Sequence, residues 1–298
     1  MPTNSRQTTA GQITVADIIG AGVKESGNIY IAKNSSDSDY GHFYRANNVE
    51  YPDGTNSVHG TVMSAINAAR YKPGTTDINY DDGHHATVII TPGDYSAEGR
   101  VAFSAKNITI VGLGTPGTDA GVTFIPDSPS TFAFGGSGSG VEISNIYIGV
   151  ASAVIGLYWE LMDGGCNFHD IYIKGNASNA TYGICTNGLK GNSKIENCMV
   201  SDFVTSGISL VGGADAYFTD SKIVGNRIGA SATCATAIYV AGSGNLVSEN
   251  SLVAHNYIIG DNFTKTIDID ATAANVMSAD NWGYAAGEGG TERDNHVT

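Results

Sequence analysis

Charged residues, and basic residues above all, are scarce in this chain of 298 residues. Lys and Arg number 15 against 29 Asp and Glu, which gives a formal net charge of −14. Charged residues make up 15% of the chain, where about 25% is usual. A protein that binds nucleic acid or an anionic membrane surface needs clustered Lys and Arg. The sequence therefore predicts neither partner.

Cysteines and long apolar runs are also few. The four cysteines, at Cys166, Cys185, Cys198 and Cys234, form no C-x-x-C pair, which argues against zinc and redox motifs. We expect buried, unpaired thiols, with a disulfide as the alternative. No apolar run is long enough to span a bilayer. Residues 1–22 lack the charged and apolar segments of a secretory signal, so the sequence predicts synthesis in a cytoplasm without one.

One short phrase recurs six times between residues 141 and 284: a polar residue, then Asn or Asp, then a hydrophobic stretch. Its Asn and Asp residues are Asn145, Asp170, Asn197, Asp220, Asn250 and Asn281. A second, apolar phrase recurs between the copies at a similar pitch. Repeats of 20 to 50 residues are typical of one structural unit stacked on itself.

Each repeat holds at least two short apolar strands separated by corners rich in Gly, Asn and Ser. Neither the Leu spacing of leucine-rich repeats nor the 3.6-residue period of helical solenoids is present. The sequence therefore predicts an all-β fold, a right-handed parallel β-helix. Asn and Asp tolerate the left-handed corner conformation, and stacked Asn side chains can bond to one another. We expect the six Asn and Asp residues of the phrase to form a structural ladder.

The chain divides into four predicted segments: an arm at residues 1–28, a capping region at 29–86, the β-helix at 87–284, and a polar tail at 285–298. The capping region contains one predicted helix, Val58 to Arg70, with its apolar residues on one face. An open solenoid end exposes core and unpaired strand edges, and this helix can cover them. The coil after Asn107 is long, which indicates an insertion near residues 112–119.

The start of the chain resembles a known superfamily. Residues 61–69 (TVMSAINAA), 88–95 (VIITPGDY) and 107–114 (NITIVGLG) are similar to the beginning of pectate-lyase-like right-handed β-helix proteins. This superfamily includes polysaccharide lyases, glycoside hydrolases, and bacteriophage tailspikes and other virion proteins. The resemblance covers about residues 29–284. It implies the fold, whereas activity depends on the site carried by each member.

A catalytic site is harder to find in the sequence. The candidate carboxylates for a glycosidase pair are Asp163, Asp202 and Asp215, since such a pair must flank the scissile bond. The Asn-Thr-Asp, paired Asp, Gly-His-Gly and Arg-Ile-Lys signatures of the polygalacturonase-type relatives are absent. Asp268 and Asp270 flank one residue on a strand and form a candidate calcium site, with solvated acids as the alternative.

Several tyrosines recur within the repeats and allow two interpretations. They form either a sugar-stacking stripe or cross-rung packing, because a half-buried strand surface favours aromatic side chains in any case. These tyrosines are Tyr147, Tyr158, Tyr172, Tyr182 and Tyr239. Residue type favours the packing interpretation.

The resemblance and the missing catalytic signatures together predict a non-catalytic structural protein of a phage virion. It would be a capsid decoration or a tail-spike or fibre-like protein that contacts host glycans, joined to other virion proteins through residues 1–28. The resemblance implies a homo-oligomer, a trimer. The alternatives are a phage polysaccharide depolymerase, either hydrolase or lyase, and a glycan adhesin without hydrolysis. No cofactor is expected, apart from Ca²⁺ at the candidate acid pair.

Overall fold

A computed structural model describes ten stretches of the chain: residues 29–41, 58–70, 85–126, 131–151, 153–212, 215–242, 245–260, 262–269, 276–283 and 292–294. The predicted arm at 1–28 and the predicted tail, apart from 292–294, lie outside the described residues. The described part is an all-β, right-handed parallel β-helix with one α-helix near its N-terminal end, as predicted. None of its helices is of a length and apolarity that would cross a membrane.

The strands form three sheets, A, B and C, and from β3 to β28 the chain passes through them in that order in each coil. Sheet A contains β2 (Val58–His59), β1 (Ile29–Ala32), β3 (Ala86–Ile90), β6 (Ile108–Gly112), β9 (Glu142–Ser144), β12 (Asn167–His169), β16 (Lys194–Glu196), β20 (Lys222–Val224), β24 (Ser251–Ala254) and β27 (Val276–Ala279). Sheet B contains β4 (Gly93–Asp94), β7 (Val122–Phe124), β10 (Tyr147–Gly149), β13 (Tyr172–Lys174), β17 (Met199–Ser201), β21 (Arg227–Gly229), β25 (Tyr257–Ile259), β28 (Asn281–Gly283) and β29 (Glu292–Asp294).

Sheet C is formed by the longest strands of each coil, some of them split in two. It contains β5 (Val101–Lys106), β8 (Phe132–Ser139), β11 (Ile155–Asp163), β14 (Tyr182–Thr186), β15 (Gly188–Leu189), β18 (Ser206–Gly212), β19 (Asp215–Thr219), β22 (Cys234–Gly242), β23 (Asn245–Glu249) and β26 (Phe263–Ile269). Paired strands are parallel throughout, except that β29 runs antiparallel to β28.

The core consists of inward side chains that stack coil upon coil. On sheet A the register aligns one inward residue from each of five successive strands. These residues are Ile143, Phe168, Ile195, Ile223 and Val253, all fully buried. Sheets B and C carry equivalent columns. Burying one such side chain stabilises the fold by about 1.5–3 kcal/mol, so a long stack builds stability without a globular core.

The N-terminal helix α1 (Val62–Arg70) is shorter than predicted, because Val58 pairs with Ile31 and forms β2 instead. Its buried face, which includes Ile66, joins the core at the first coil. The Glu98 carboxylate accepts hydrogen bonds from the backbone N–H of Val62 at 2.7 Å and of Met63 at 3.2 Å. A carboxylate at this position satisfies free helical N–H groups and complements the helix dipole.

The six Asn and Asp residues of the repeated phrase do not form one ladder. Asn145, Asp170 and Asn197 lie at successive corners between sheets A and B, with φ of 57°, 53° and 53°. Asp220 and Asn250, with φ of 49° and 50°, lie at the corner between sheets C and A. The Asn250 amide donates to Asp220 Oδ1 at 3.2 Å. The prediction that these residues form a single ladder is therefore wrong. Both corners require the left-handed conformation and use the same residue types, so the sequence motif does not distinguish them.

A buried asparagine ladder lies one residue beyond the corner between sheets A and B. It consists of Asn226, Asn256 and Asn281, which are almost completely buried. The Asn226 amide donates to Asn256 Oδ1, and the Asn256 amide donates to Asn281 Oδ1, each at 2.9 Å. Each amide nitrogen also donates to a backbone carbonyl of a neighbouring coil. Only Asn281 was a predicted ladder residue.

The four cysteines are buried and unpaired, as predicted. Burial raises the pKa of the Cys185 and Cys198 thiols to about 12, since the thiolate loses its hydration. The thiols therefore remain protonated and behave as small apolar side chains.

Candidate functional site

The predicted catalytic carboxylates lie apart and take part in structural contacts. Asp163, at the end of β11, forms an ion pair with Lys190 at 3.1 Å. Asp202 occupies the corner after β17, where its carboxylate accepts a hydrogen bond from the Ser231 N–H at 2.9 Å. Asp163 ends one strand of sheet C and Asp202 precedes another, so the two residues lie at opposite ends of the strands. Asp215 begins β19, but its side chain lies outside the described residues.

The predicted calcium site is only half described. Asp268 forms an ion pair with Lys265 at 2.8 Å, and Asp270 lies outside the described residues. Within the described stretches, no group of three or more His, Cys, Asp or Glu side chains is placed to hold a metal ion. A calcium site that includes Asp270 stays a prediction.

The recurring tyrosines are divided between two faces of the β-helix. Tyr147 and Tyr172 lie on sheet B with ring centroids 5.0 Å apart. Tyr158, Tyr182 and Tyr239 lie on sheet C, where Tyr158 packs against Phe132. The five residues therefore do not form a single stripe.

A polar cluster on the outer face of sheet A was not found from the sequence. His169 Nε2 lies 3.1 Å from Glu142 Oε1, and its Nδ1 lies 2.7 Å from Asp170 Oδ2. The hydrogen bond to Glu142 is the main reason that the pKa of His169 is raised to about 9; Asp170 adds to it, and partial burial opposes it. The adjacent His169 and Asp170 were visible in the repeat, but Glu142 comes from the preceding coil.

This cluster predicts a specific pH dependence of stability. Because the folded pKa of His169 lies above its unfolded value, the contribution is complete below about pH 6.5 and is lost as pH rises through about 9. The partner carboxylates are about half exposed, so we expect a loss of only about 1 kcal/mol. Urea unfolding at pH 6 and pH 10 measures it, and His169→Gln should reduce the stability difference between these two pH values by about that amount. An NMR titration of His169 near pH 6.5 would contradict this interpretation.

The outer face of sheet B carries a continuous column of large side chains. The register places one residue from each of six successive strands in line. These residues are Tyr147, Tyr172, Met199, Arg227, Tyr257 and Trp282. At a parallel strand spacing of about 4.8 Å, the column extends about 24 Å along the β-helix.

The C-terminal half of this column is open to solvent. Met199, Tyr257 and Trp282 are 41%, 55% and 43% exposed, although apolar side chains of this size are normally buried in a solenoid. Beside the column, the outward positions at Ser201 and Gly229 are small. The result is a shallow track with aromatic and apolar residues on one side and room on the other.

The N-terminal end of the column closes in a cleft of about 370 Å³. The cleft is lined by Tyr147, Thr123, Asp94 and the loop between β6 and β7, which includes Asp119. This loop is the predicted insertion. Its Gly117 lies against the Tyr172 ring so closely that a Cβ there would come within 2.8 Å of Tyr172 Cδ1. At its N-terminal end the track therefore leads into this cleft.

Comparison with known proteins adds one structural likeness. No family model matches the chain, and no curated protein matches its sequence. A solved structure of a pectin methylesterase from carrot is similar to it, with 13% sequence identity and a TM-score of 0.41. The similarity covers 89% of this chain and 85% of the other.

Proposed function

We propose that this protein is a non-catalytic structural protein of a phage virion, a capsid decoration or a tail-spike-like protein. In this proposal it contacts host-surface glycans through the outer face of sheet B. The virion assignment is supported by the sequence resemblance to β-helix virion proteins. The observation that carries glycan contact is the exposed column that ends in Met199, Tyr257 and Trp282.

An extended polysaccharide fits this column because sugar rings have apolar faces that pack against aromatic side chains. Stacking contacts contribute about 0.5–1.5 kcal/mol each beyond the area they bury. Several weak contacts repeated along a rigid track are sufficient for a polymer, since neighbouring contacts act together. The β-helix holds the track straight through its ladders of backbone hydrogen bonds, so little ordering is required on binding.

A depolymerase would require two carboxylates facing each other across the bound chain. Of the carboxylates that line the cleft, Asp94 accepts hydrogen bonds from the backbone N–H and hydroxyl of Ser96. Asp163 and Asp202 are engaged elsewhere. The described carboxylates therefore support binding better than hydrolysis.

Removing the exposed rings provides the test of glycan contact. We expect the double variant Tyr257→Ala with Trp282→Ala to bind host capsular or lipopolysaccharide glycans at least about tenfold more weakly, because two stacking contacts are lost. A glycan array followed by calorimetry measures this. The matched control is Tyr158→Ala with Tyr239→Ala, two tyrosines on sheet C, which should bind normally.

Two results would contradict the proposal. Unchanged binding in the sheet B variant would exclude this face as the glycan site. Release of reducing ends from a bound polysaccharide would show that the protein is a depolymerase. The virion assignment has a separate test, since mass spectrometry of purified particles should detect the chain in stoichiometric copies.

A further inference from the structure

We propose that the outer face of sheet B selects acidic polysaccharides, in particular those with one anionic group on every second sugar. This inference rests on the proposed glycan function and specifies its ligand. It starts from the charges of the face, which are opposite in sign to the charge of the chain as a whole.

The outward positions of sheet B from β10 to β28 contain Lys174 and Arg227 and no Asp or Glu. The whole chain has nearly twice as many acidic as basic residues. Between β10 and β28 the outward charges are therefore positive in an otherwise acidic chain, and a local group of cations attracts anions. The charge pattern therefore favours an anionic ligand.

Neither cation is paired with another described residue. Among the described residues, the side chains of Lys174 and Arg227 form no hydrogen bond or ion pair. By contrast, Lys190 and Lys265 are each paired with an aspartate. Both Lys174 and Arg227 are exposed, so a ligand can reach them without displacing a partner.

The carboxylates at the borders of the face are engaged in contacts of their own. Asp170 is bound to His169 at 2.7 Å, and Asp202 accepts the Ser231 N–H at 2.9 Å. Asp280, at the last corner, also has an interaction within the protein. None of these described contacts involves Lys174 or Arg227.

The spacing of the two cations sets the expected charge repeat. Lys174 lies on β13 and Arg227 on β21, which are separated by one strand, β17. Two rung spacings place them about 10 Å apart along the axis, and Lys174 lies two residues further along its strand than Arg227, in register with Ser201 and Gly229. A sugar unit in an extended chain is about as long as one rung spacing. Two successive cations therefore match anionic groups on alternate sugars, while the ring between them lies beside Met199 and the rings beyond Arg227 lie beside Tyr257.

The test compares three polymers: hyaluronan, with one carboxylate per two sugars; carboxyl-reduced hyaluronan, which is neutral; and polygalacturonate, with one carboxylate per sugar. We expect hyaluronan to bind at least tenfold more tightly than its reduced form at low salt, and the difference to shrink at high salt. Polygalacturonate should bind no more tightly than hyaluronan despite its higher charge density.

Variants locate the effect on this face. Lys174→Ala with Arg227→Ala should lose at least tenfold in affinity for hyaluronan and lose much less for reduced hyaluronan, which has no carboxylate to pair with either cation. The control, Lys194→Ala with Lys222→Ala, removes the same charge from the neighbouring strands β16 and β20 of sheet A and should bind normally. Circular dichroism checks that both variants fold.

The outcomes separate this inference from the proposed function. Equal binding of hyaluronan and its reduced form, or binding of neither when host glycans do bind, would overturn the acidic selectivity and leave glycan contact intact. Tighter binding of polygalacturonate would overturn the two-sugar spacing. Failure of every glycan to bind would overturn both proposals.

Discussion

Replacing Asn256 with alanine is expected to destabilise the protein by about 3–5 kcal/mol, the largest effect of any single polar substitution considered. Asn256 is the middle member of the buried ladder and is completely buried. Its Oδ1 accepts from the backbone N–H of Asn226 at 3.0 Å and from the Asn226 amide at 2.9 Å. Its amide donates to the Ile223 carbonyl at 3.0 Å and to Asn281.

The loss is large because the partners remain buried when Asn256 is removed. A buried donor or acceptor without a partner costs about 1–3 kcal/mol, and alanine leaves at least two such groups, the Asn226 N–H and the Ile223 carbonyl. Asn256→Leu keeps the number and branching of the side-chain heavy atoms but forms no hydrogen bond. We therefore expect it to be nearly as destabilising, which separates the polar contribution from packing.

Chemical denaturation measures these changes as a lower midpoint. The matched control is Asn187→Ala, since Asn187 is only partly buried and its side chain makes one long hydrogen bond, to Tyr158 at 3.4 Å. It should change stability by less than about 1 kcal/mol. If Asn256→Ala were as stable as this control, the ladder would contribute little to the fold.

Replacing Trp159 with alanine is expected to destabilise the protein by about 3–5 kcal/mol. Trp159 has no exposed surface and lies between Phe103 and Phe168, with ring centroids 5.4 Å away on both sides. Its indole N–H donates to the Gly138 carbonyl at 3.2 Å. Alanine would remove the largest buried side chain, leave a cavity between three coils, and remove the stronger of two donors to that carbonyl, the other being the Cys166 thiol.

The chain contains one further tryptophan, which serves as the control. Trp282 is 43% exposed on sheet B, so Trp282→Ala should cost less than about 1.5 kcal/mol while weakening glycan binding. The expected pattern is reciprocal: Trp159→Ala loses stability, and Trp282→Ala loses binding. Equal losses of stability in the two variants would show that Trp282 belongs to the core rather than to a binding face.

The repeat period was readable in the sequence because each coil must meet the same local requirements. A tight corner needs a residue that tolerates the left-handed conformation, and each strand needs alternating inward apolar residues. These requirements are local, so they select the residue type at each corner, and the selection is visible in the sequence at residues such as Asn145 and Asp170. The capping helix and the insertion near residues 112–119 were predicted for the same reason.

The sequence does not show which corner of a coil an Asn or Asp residue occupies, because two corners of each coil require the left-handed conformation. Asp220 and Asn250 carry the phrase of Asn145 but lie at another corner. In the coils where the Asn or Asp residue lies at the corner between sheets C and A, Gly225 and His255 occupy the left-handed position between sheets A and B, with φ of 68° and 55°. Only the pairing of strands distinguishes the corners.

The sequence by itself determined that the chain is an all-β solenoid with a capped N-terminal end and buried thiols, because period, residue type and composition express local chemistry. The tertiary structure alone decided which side chains share a face. Tyr257 and Trp282 are 25 residues apart in the chain and directly opposite each other in sheet B. A strand register brings them together, and one residue of slip would have turned each side chain inward.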